Sequence, residues 1–246
     1  MAKSRLDTLL VDRGLVDSET KAQALILSGV VFSNERRLDK PGVPIDLDAD
    51  IEIRGKIHPW VSRGGLKLER ALDHFQIDVS GFVCLDVGAS TGGFTDVALS
   101  RGATKVYAVD VGRGQLAWKL RQDDRVVVLE RRNARHLTED HIPEPVDLIM
   151  CDASFIGLET VLPVPLTFAA PGAWLVALIK PQFEVGKGRV GKGGIVREPE
   201  LHDEVRQRIS AWLDGLPGWR VIGITDSPIK GADGNREFLI AGRYAP

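Results

Sequence analysis

The stretch Leu85-Asp86-Val87-Gly88-Ala89-Ser90-Thr91-Gly92-Gly93-Phe94-Thr95 most narrows the folds open to this chain. An apolar run from Phe82 to Val87 ends in an acid and a glycine. A small-residue turn then opens an amphipathic stretch through Val97, Ala98 and Leu99. This order predicts a buried strand, a tight turn and a helix from Gly92 to Arg101. Glycine permits positive φ and lets a ligand lie against bare backbone. A second apolar run, Lys105 to Val109, is closed by Asp110 one strand–helix–strand unit downstream. An acid at that strand end can take both hydroxyls of a ribose, as in dinucleotide-binding sheets. The turn is not G-x-G-x-x-G, and no Lys-Ser/Thr follows its glycines as a Walker A loop requires.

The α/β alternation continues to the end of the chain. Gly112-Arg113-Gly114 is a turn before a short helix with Leu116, Ala117, Trp118 and Leu120, and Val126 to Leu129 reads as a fully buried strand. Asn133 follows among Arg131, Arg132 and Arg135, placed either to meet the edge of an adenine or to cap a helix. Val146 to Cys151 is the fourth strand and ends in Asp152-Ala153-Ser154-Phe155. A prolyl-interrupted helix from Leu158 leads to a fifth strand, Trp174 to Ile179, which delivers Lys180-Pro181. Ligand crevices in parallel sheets lie at the carboxyl ends of strands, so Asp86, Asp152 and Lys180 are expected on one edge. A partly desolvated lysine beside another cation tends toward the neutral amine. From Lys180 to Arg197 five cations (Lys180, Lys187, Arg189, Lys192, Arg197) stand against one acid, Glu184, among five glycines. A mobile basic loop of this kind suits a phosphodiester chain. Helix Glu200–Asp214 and strands Trp219–Thr225 and Phe238–Ala241 complete the sheet, and the loop 231–236 between those strands presents Glu237.

Ahead of this lies a smaller module. Leu6, Leu9, Leu10 and Val11 repeat at helical spacing as far as Gly14, and Ser18 is placed to cap a second helix that stops at Gly29. Val30-Val31-Phe32, a turn at Ser33-Asn34-Glu35, Lys40-Pro41-Gly42 and Ile51-Glu52-Ile53 read as a short hairpin region. Lys56 to Gly65 reads as a joint, with Trp60 packing between the modules. A helix from Leu66 to Phe75 carries Lys67 in its first turn, where a cation opposes the helix dipole and needs another reason to be present.

With 246 residues the chain has room for one α/β domain and a small appendage. A formal charge of −2 gives no global basicity, so any nucleic-acid surface has to be local. No apolar run reaches the ~18–20 residues of a membrane span, and Met-Ala-Lys-Ser-Arg-Leu-Asp does not lead into a signal peptide. Cys84 and Cys151 fall at or near strand interiors, neither belongs to a metal-spaced pair, and the five histidines are scattered. A reduced, cytoplasmic protein without structural metal is the expectation.

D-V-G-x-x-x-G-G-F followed by a strand-end acid resembles the cofactor turn of class I methyltransferases. R-L-D-x-L-L (Arg5 to Leu10), A-x-x-L-I-x-x-G-x-V (Ala22 to Val31) and K-P-G (Lys40 to Gly42) resemble an S4 RNA-binding domain. The S4 pattern is departed from at Glu19-Thr20-Lys21 and at Ser33-Asn34-Glu35, where Ser-Arg and Asn-Gly are usual. Together with W-V-S-R-G-G-x-K-L, G-Q-L-A-W, L-I-K-P-Q-F-E-V-G-K-G and G-N-x-E, these segments make nearly the whole chain similar to the TlyA family, which also carries the hemolysin name.

That resemblance implies a class I, Rossmann-like α/β methyltransferase fold. Its sheet would be mixed, mostly parallel and seven-stranded, with a small α+β S4-like domain in front. It implies an S4-like RNA-binding domain at 1–56, an interdomain linker at 57–64 and an FtsJ-like domain at 65–246. The activity implied is S-adenosylmethionine-dependent 2′-O-methylation of cytidine in ribosomal RNA. The large subunit is favoured because the chain stops soon after its last strand. A Lys-Asp-Lys-Glu tetrad would fall on Lys67, Asp152, Lys180 and Glu237. The cofactor would be held by Asp86, Gly88, Ala89, Ser90, Thr91, Gly92, Gly93, Phe94, Asp110, Asn133 and Asp152. RNA would meet Arg5, Arg13, Lys21, Arg36, Arg37, Lys40, Arg63, Lys187, Arg189 and Lys192. No metal is implied. Against these stand a membrane-active cytolysin, a non-catalytic RNA-binding protein that keeps the fold, and a small-molecule methyltransferase.

Overall fold

The computed structural model describes residues 3–34, 36–53, 58–186, 188–231 and 234–246. The RNA-contact candidate Lys187, Glu35 of the expected turn, Lys56 and Ile57 at the module boundary, and Ala232 and Asp233 of the loop before Glu237 lie outside the described residues. The chain divides into two compact units, Met1–Ile57 and His58–Pro246.

The first unit holds β1 (Lys3–Arg5), α1 (Leu6–Asp12), α2 (Glu19–Leu27), β2 (Val31–Ser33), β3 (Arg36–Arg37), β4 (Pro44–Asp46) and β5 (Ile51–Ile53). Helix α1 ends ahead of Gly14 at φ +66°, and the Ser18 side chain accepts the Lys21 N–H at the start of α2. Leu6, Leu10, Ala22, Ile26 and Val31 are fully buried together. So small a core gives a unit of this length only marginal stability by itself. The strands form more than the single hairpin read from the sequence: β3-β2-β5 is one antiparallel sheet, and β1 pairs antiparallel with β4. Strands β1 and β4 escaped notice because three residues are too few to show a period-2 pattern.

In the second unit the order is α3 (Gly65–Phe75), β6 (Val83–Val87), α4 (Gly93–Ser100), β7 (Lys105–Asp110), α5 (Trp118–Arg121), β8 (Val126–Glu130), β9 (Val146–Cys151), α6 (Leu158–Val161), β10 (Ala169–Ile179), α7 (Pro181–Glu184), α8 (Pro199–Asp214), β11 (Trp219–Asp226) and β12 (Phe238–Tyr244). Seven strands run β11-β12-β10-β9-β6-β7-β8 across one sheet, parallel except for β12, which is antiparallel to both of its neighbours. Successive strand residues feed opposite faces. Leu85, Val87, Ile149 and Ala177 pack with Val205, Ile209 and Leu213 of α8, whereas Cys84, Leu148, Met150 and Val176 pack with Leu68, Leu72 and Val97 of α3 and α4. Both faces are thus covered, which is why the central strands read as unbroken apolar runs.

Three expectations are corrected here. Val126 to Leu129 is not fully buried: β8 is the edge strand and every residue of it is half-exposed. The fifth strand begins at Ala169, not Trp174, because the chain enters the sheet before Pro171-Gly172 and passes through an irregular register between Ala169 and Trp174. The last strand continues past Ala241 to Tyr244, held by β10 on one side and β11 on the other.

Residues 58–64, read from the sequence as part of a joint, are built into this second unit. Trp60 and Val61 pack on its core, and the Val61 N–H donates to Asp96 Oδ2 of α4 at 2.8 Å. A Cβ on Gly65 would lie 2.5 Å from the Trp60 ring, so the glycine makes the seat for the indole.

Candidate active site

The parallel strands β6, β9 and β10 all end at one edge, with Val87 beside Cys151 and Cys151 beside Ala177. Asp86 is the penultimate residue of β6, while Asp152 and Lys180 directly follow β9 and β10. Because β12 runs the opposite way, its first residue Phe238 pairs with Ile179, so the residue before it, Glu237, arrives at that same edge. Lys67 comes from the first turn of α3. Four side chains remote in sequence therefore meet in a row.

Lys67 Nζ lies 2.7 Å from Glu237 Oε2 and 3.5 Å from Asp152 Oδ2, and Lys180 Nζ lies 2.6 Å from Asp152 Oδ1. Charge alternates along Glu237, Lys67, Asp152 and Lys180. Lys67 is 7% exposed, Lys180 6% and Glu237 3%. Charged groups so deeply placed require partners. The pairing with Glu237 and Asp152 supplies the reason for a cation at that helix start.

The row lines a cavity of about 490 Å³, a size suited to a small ligand or cofactor. Of the residues expected to hold the cofactor, Asp86, Gly88, Ala89, Ser90, Thr91, Gly93, Phe94 and Asp152 line it; Gly92, Asp110 and Asn133 do not. Gly88, at φ +82°, needs to be bare: a Cβ there would come 2.9 Å from Ala153 Cα, so the turn lies directly on the chain leaving β9. Gly92 starts α4 at φ +93°, with Leu120 Cδ1 2.3 Å from where a Cβ would stand. The Asp110 carboxylate accepts the Ser90 N–H at 2.8 Å and the Gly112 N–H at 2.7 Å, shaping the turn from behind. Asn133 accepts the Arg135 N–H at 3.1 Å and so caps the short 3-10 turn Ala134–His136. Capping is one of the two roles the sequence left open for Asn133.

Asp86 is fully buried. Its Oδ2 accepts from Thr95 N at 3.1 Å and Oγ1 at 2.7 Å, while Oδ1 has no hydrogen-bond partner among the described residues. Burial pushes its carboxyl up to about 7, against the opposing Thr95 hydrogen bonds. Between the ordinary carboxylate range and pH 7 the unfolded chain ionises here while the folded one keeps the proton. Stability must then fall as pH rises through that window. Asp86→Asn should flatten that part of the curve and make the variant the more stable protein above pH 7, as read from urea midpoints of both proteins between pH 4 and pH 8. An unchanged difference across that range would remove the assignment. Burial also pushes the Cys151 thiol up to about 12 and raises Cys84, so both behave as small apolar groups.

The RNA-contact candidates separate into groups. Arg5 is ion-paired at 2.7 Å to buried Asp7, whose carboxyl it holds down at about 2, and Lys21 pairs with Asp17 at 2.5 Å. Arg13 donates to the carbonyl oxygens of Ala49, at 2.7 Å, and Leu47, and Arg189 pairs with Glu204 at 2.5 Å. Arg36, Arg37, Lys40, Arg63 and Lys192 are exposed; of all these candidates Arg63 alone lines the cavity. The glycine-rich segment after Lys180 is more than a loose connector. Val185 and Val196 are buried, and Asn235 clips it by accepting from Val196 N at 3.0 Å and donating to Gly194 O at 2.9 Å.

Sequence reasoning missed Asn235, which is buried at the cavity wall, and Ser154, Phe155, Gln182 and Phe183, which also line it. Phe155 is 89% exposed at φ +66°, with its ring 5.1 Å from that of Phe183. A bulky residue in the left-handed region signals constraint and was a feature only coordinates could reveal.

The family model described as FtsJ-like methyltransferase matches residues 60–244. The "16S/23S rRNA (cytidine-2′-O)-methyltransferase TlyA" of Mycobacterium tuberculosis is 48% identical over 239 residues, 97% of this chain and 89% of that protein. "Hemolysin A" of Brachyspira hyodysenteriae is 42% identical over 237 residues, covering 96% and 98%. A solved structure named "Putative hemolysin from Streptococcus thermophilus" superposes with a TM-score of 0.77 at 43% identity, covering 100% of this chain and 90% of that one. With the strand order, the small-residue turn and the converging tetrad already in place, these matches settle the family: the chain belongs to the FtsJ-like methyltransferases.

Proposed function

We infer that this methyltransferase moves the methyl group of S-adenosylmethionine to the ribose 2′-hydroxyl of a cytidine in ribosomal RNA, with large-subunit RNA as the first substrate to test. The observation that carries the reading is the row of two buried amines, buried Glu237 and half-buried Asp152 beside the Gly88–Phe94 turn. The name of the M. tuberculosis relative supports the substrate, at 48% identity over nearly the whole chain. The first unit is proposed as the RNA-binding module, with exposed Arg36, Arg37 and Lys40 as its phosphate contacts.

The residues present fit the cofactor. Backbone of the turn borders the cavity, and Asp86 Oδ1 is a buried acceptor at its wall without a partner among the described residues. When bound, S-adenosylmethionine supplies an electrophilic sulfonium methyl. The chain's own task is to strip the proton from a poor nucleophile. Lys180 would accept that proton, and Asp152 would hold Lys180 in place. Lys67 and Glu237 would fix the attacking oxygen and offset charge developing on it. The exposed Phe155 ring offers a stacking face for the target base.

The expected result is transfer of labelled methyl from S-adenosylmethionine to stripped ribosomal RNA, mapped by mass to a 2′-O-methylcytidine. No incorporation into RNA or ribosomal subunits would overturn the reading.

A further inference from the structure

Lys180 does not point an idle amine into the cavity. Its Nζ donates to the Asp152 carbonyl oxygen at 3.1 Å and to Ser154 Oγ at 2.9 Å, and stands 2.6 Å from Asp152 Oδ1. Two of these three oxygens, a carbonyl and a carboxylate, can only accept; the third is a hydroxyl and can do either. As an ammonium, Lys180 donates to the carbonyl and the hydroxyl and lies in ion-pair contact with the carboxylate, whose Oδ1 has no hydrogen bond among the described residues. Once neutral, it has two N–H bonds and a lone pair. Of the three oxygens only the Ser154 hydroxyl can donate a proton to that lone pair. Lys180 is 6% exposed, whereas Ser154 is an exposed residue lining the same cavity. Of the two groups Ser154 is the more open to a ribose hydroxyl entering the cavity.

We propose that the Ser154 hydroxyl relays the proton from the target ribose hydroxyl to Lys180. The inference rests on the reading of Lys180 as proton acceptor in 2′-O-methylation. In the step, the ribose O–H bond breaks and its proton bonds to Ser154 Oγ. The original Ser154 O–H bond breaks and that proton bonds to the Lys180 lone pair. The electron pair freed on the ribose oxygen forms the new bond to the methyl carbon, and the pair of the breaking carbon–sulfur bond stays with the sulfonium donor's sulfur. Ser154 ends with one proton as it began, and Lys180 ends as an ammonium paired with the Asp152 carboxylate. The arrangement explains why a hydroxyl-bearing residue stands third in the set around Nζ, where another pure acceptor would trap the charged form.

The test compares full-length wild-type, Ser154→Ala, Ser154→Thr and Lys180→Ala proteins in single-turnover methylation of ribosomal RNA. It also measures cofactor and RNA affinities by calorimetry and rates in mixtures of light and heavy water. Ser154→Ala should lose about 10²-fold or more in rate, with both affinities held within about twofold. Ser154→Thr should recover most of that rate. The dependence on deuterium fraction should be curved in the wild type, as two protons in flight require, and straight in Ser154→Ala. A wild-type rate in Ser154→Ala, a Ser154→Thr protein no faster than Ser154→Ala, or a straight wild-type dependence each overturns the relay. An inactive Lys180→Ala beside a normal Ser154→Ala removes the relay alone, whereas an active Lys180→Ala removes the underlying role of Lys180 as well.

Discussion

Lys180→Ala should lower turnover on RNA by about 10²–10⁴-fold, the usual scale for loss of a positioned acid–base group. Cofactor and RNA affinities should move little. The expectation follows from placement. Lys180 leaves β10 at the strand-end edge, is almost fully buried, and is held by Asp152 and Ser154 at the wall of the cavity. Removing the side chain deletes the only amine adjoining both of those residues among the described contacts, yet touches neither the Gly88–Phe94 turn nor the first unit. Fold should survive, because the shortened side chain leaves Asp152 with Lys67 at 3.5 Å. Single-turnover rates with saturating cofactor, alongside calorimetric affinities, would check this. Near-normal turnover with intact binding would end the assignment.

The second large effect is on stability. Glu237→Leu should cost about 3–5 kcal/mol, the range for breaking a buried ion pair from one side. Glu237 and Lys67 are 3% and 7% exposed and 2.7 Å apart, so the substitution strands a cation whose remaining carboxylate, Asp152, is 3.5 Å away. The double variant Lys67→Met/Glu237→Leu removes both charges and should regain most of the loss, since apolar replacement of a whole buried pair is often neutral or stabilising. Methylation should not return with it. Urea unfolding of the two variants against wild type reads the first effect, and labelled methyl transfer reads the second. If the double variant proved as unstable as the single one, the penalty would lie in packing around Phe238 instead of in unpaired charge. If it methylated normally, Lys67 and Glu237 would have no part in the reaction.

These two variants separate what a buried charge row does for the fold from what it does for chemistry. The row is costly to bury, and an apolar core of the same shape would serve stability as well or better. Its presence in the lining of a cofactor-sized cavity therefore argues for chemistry. Asn235 adds to the same economy of position. Two residues before Glu237, it pins the chain at Gly194 and Val196 and so ties the glycine-rich segment to the tetrad's own loop.

Much of the second unit was legible in the chain of residues alone. Strands buried on both faces appear as continuous apolar runs, and the acids and lysine that close them mark the ligand edge. That logic brought Asp86, Asp152 and Lys180 together with no coordinates. It failed for Val126 to Leu129, because an apolar run does not disclose whether a strand lies at the centre or the edge of a sheet. It also failed for β1 and β4 of the first unit, which are too short to carry a period.

The sequence by itself determined the α/β alternation, the small-residue turn and the strand-end placement of Asp86, Asp152 and Lys180, because each of these is written in neighbouring residues. Tertiary structure alone decided that Lys67 is buried, that antiparallel β12 carries Glu237 to the edge where β9 and β10 deliver Asp152 and Lys180, and that Ser154 closes the set around the amine. These depend on strand direction and on contacts between segments scores of residues apart. Local patterning encodes hydrophobic period and turn chemistry, but the partner of a charge is chosen only when the sheet assembles.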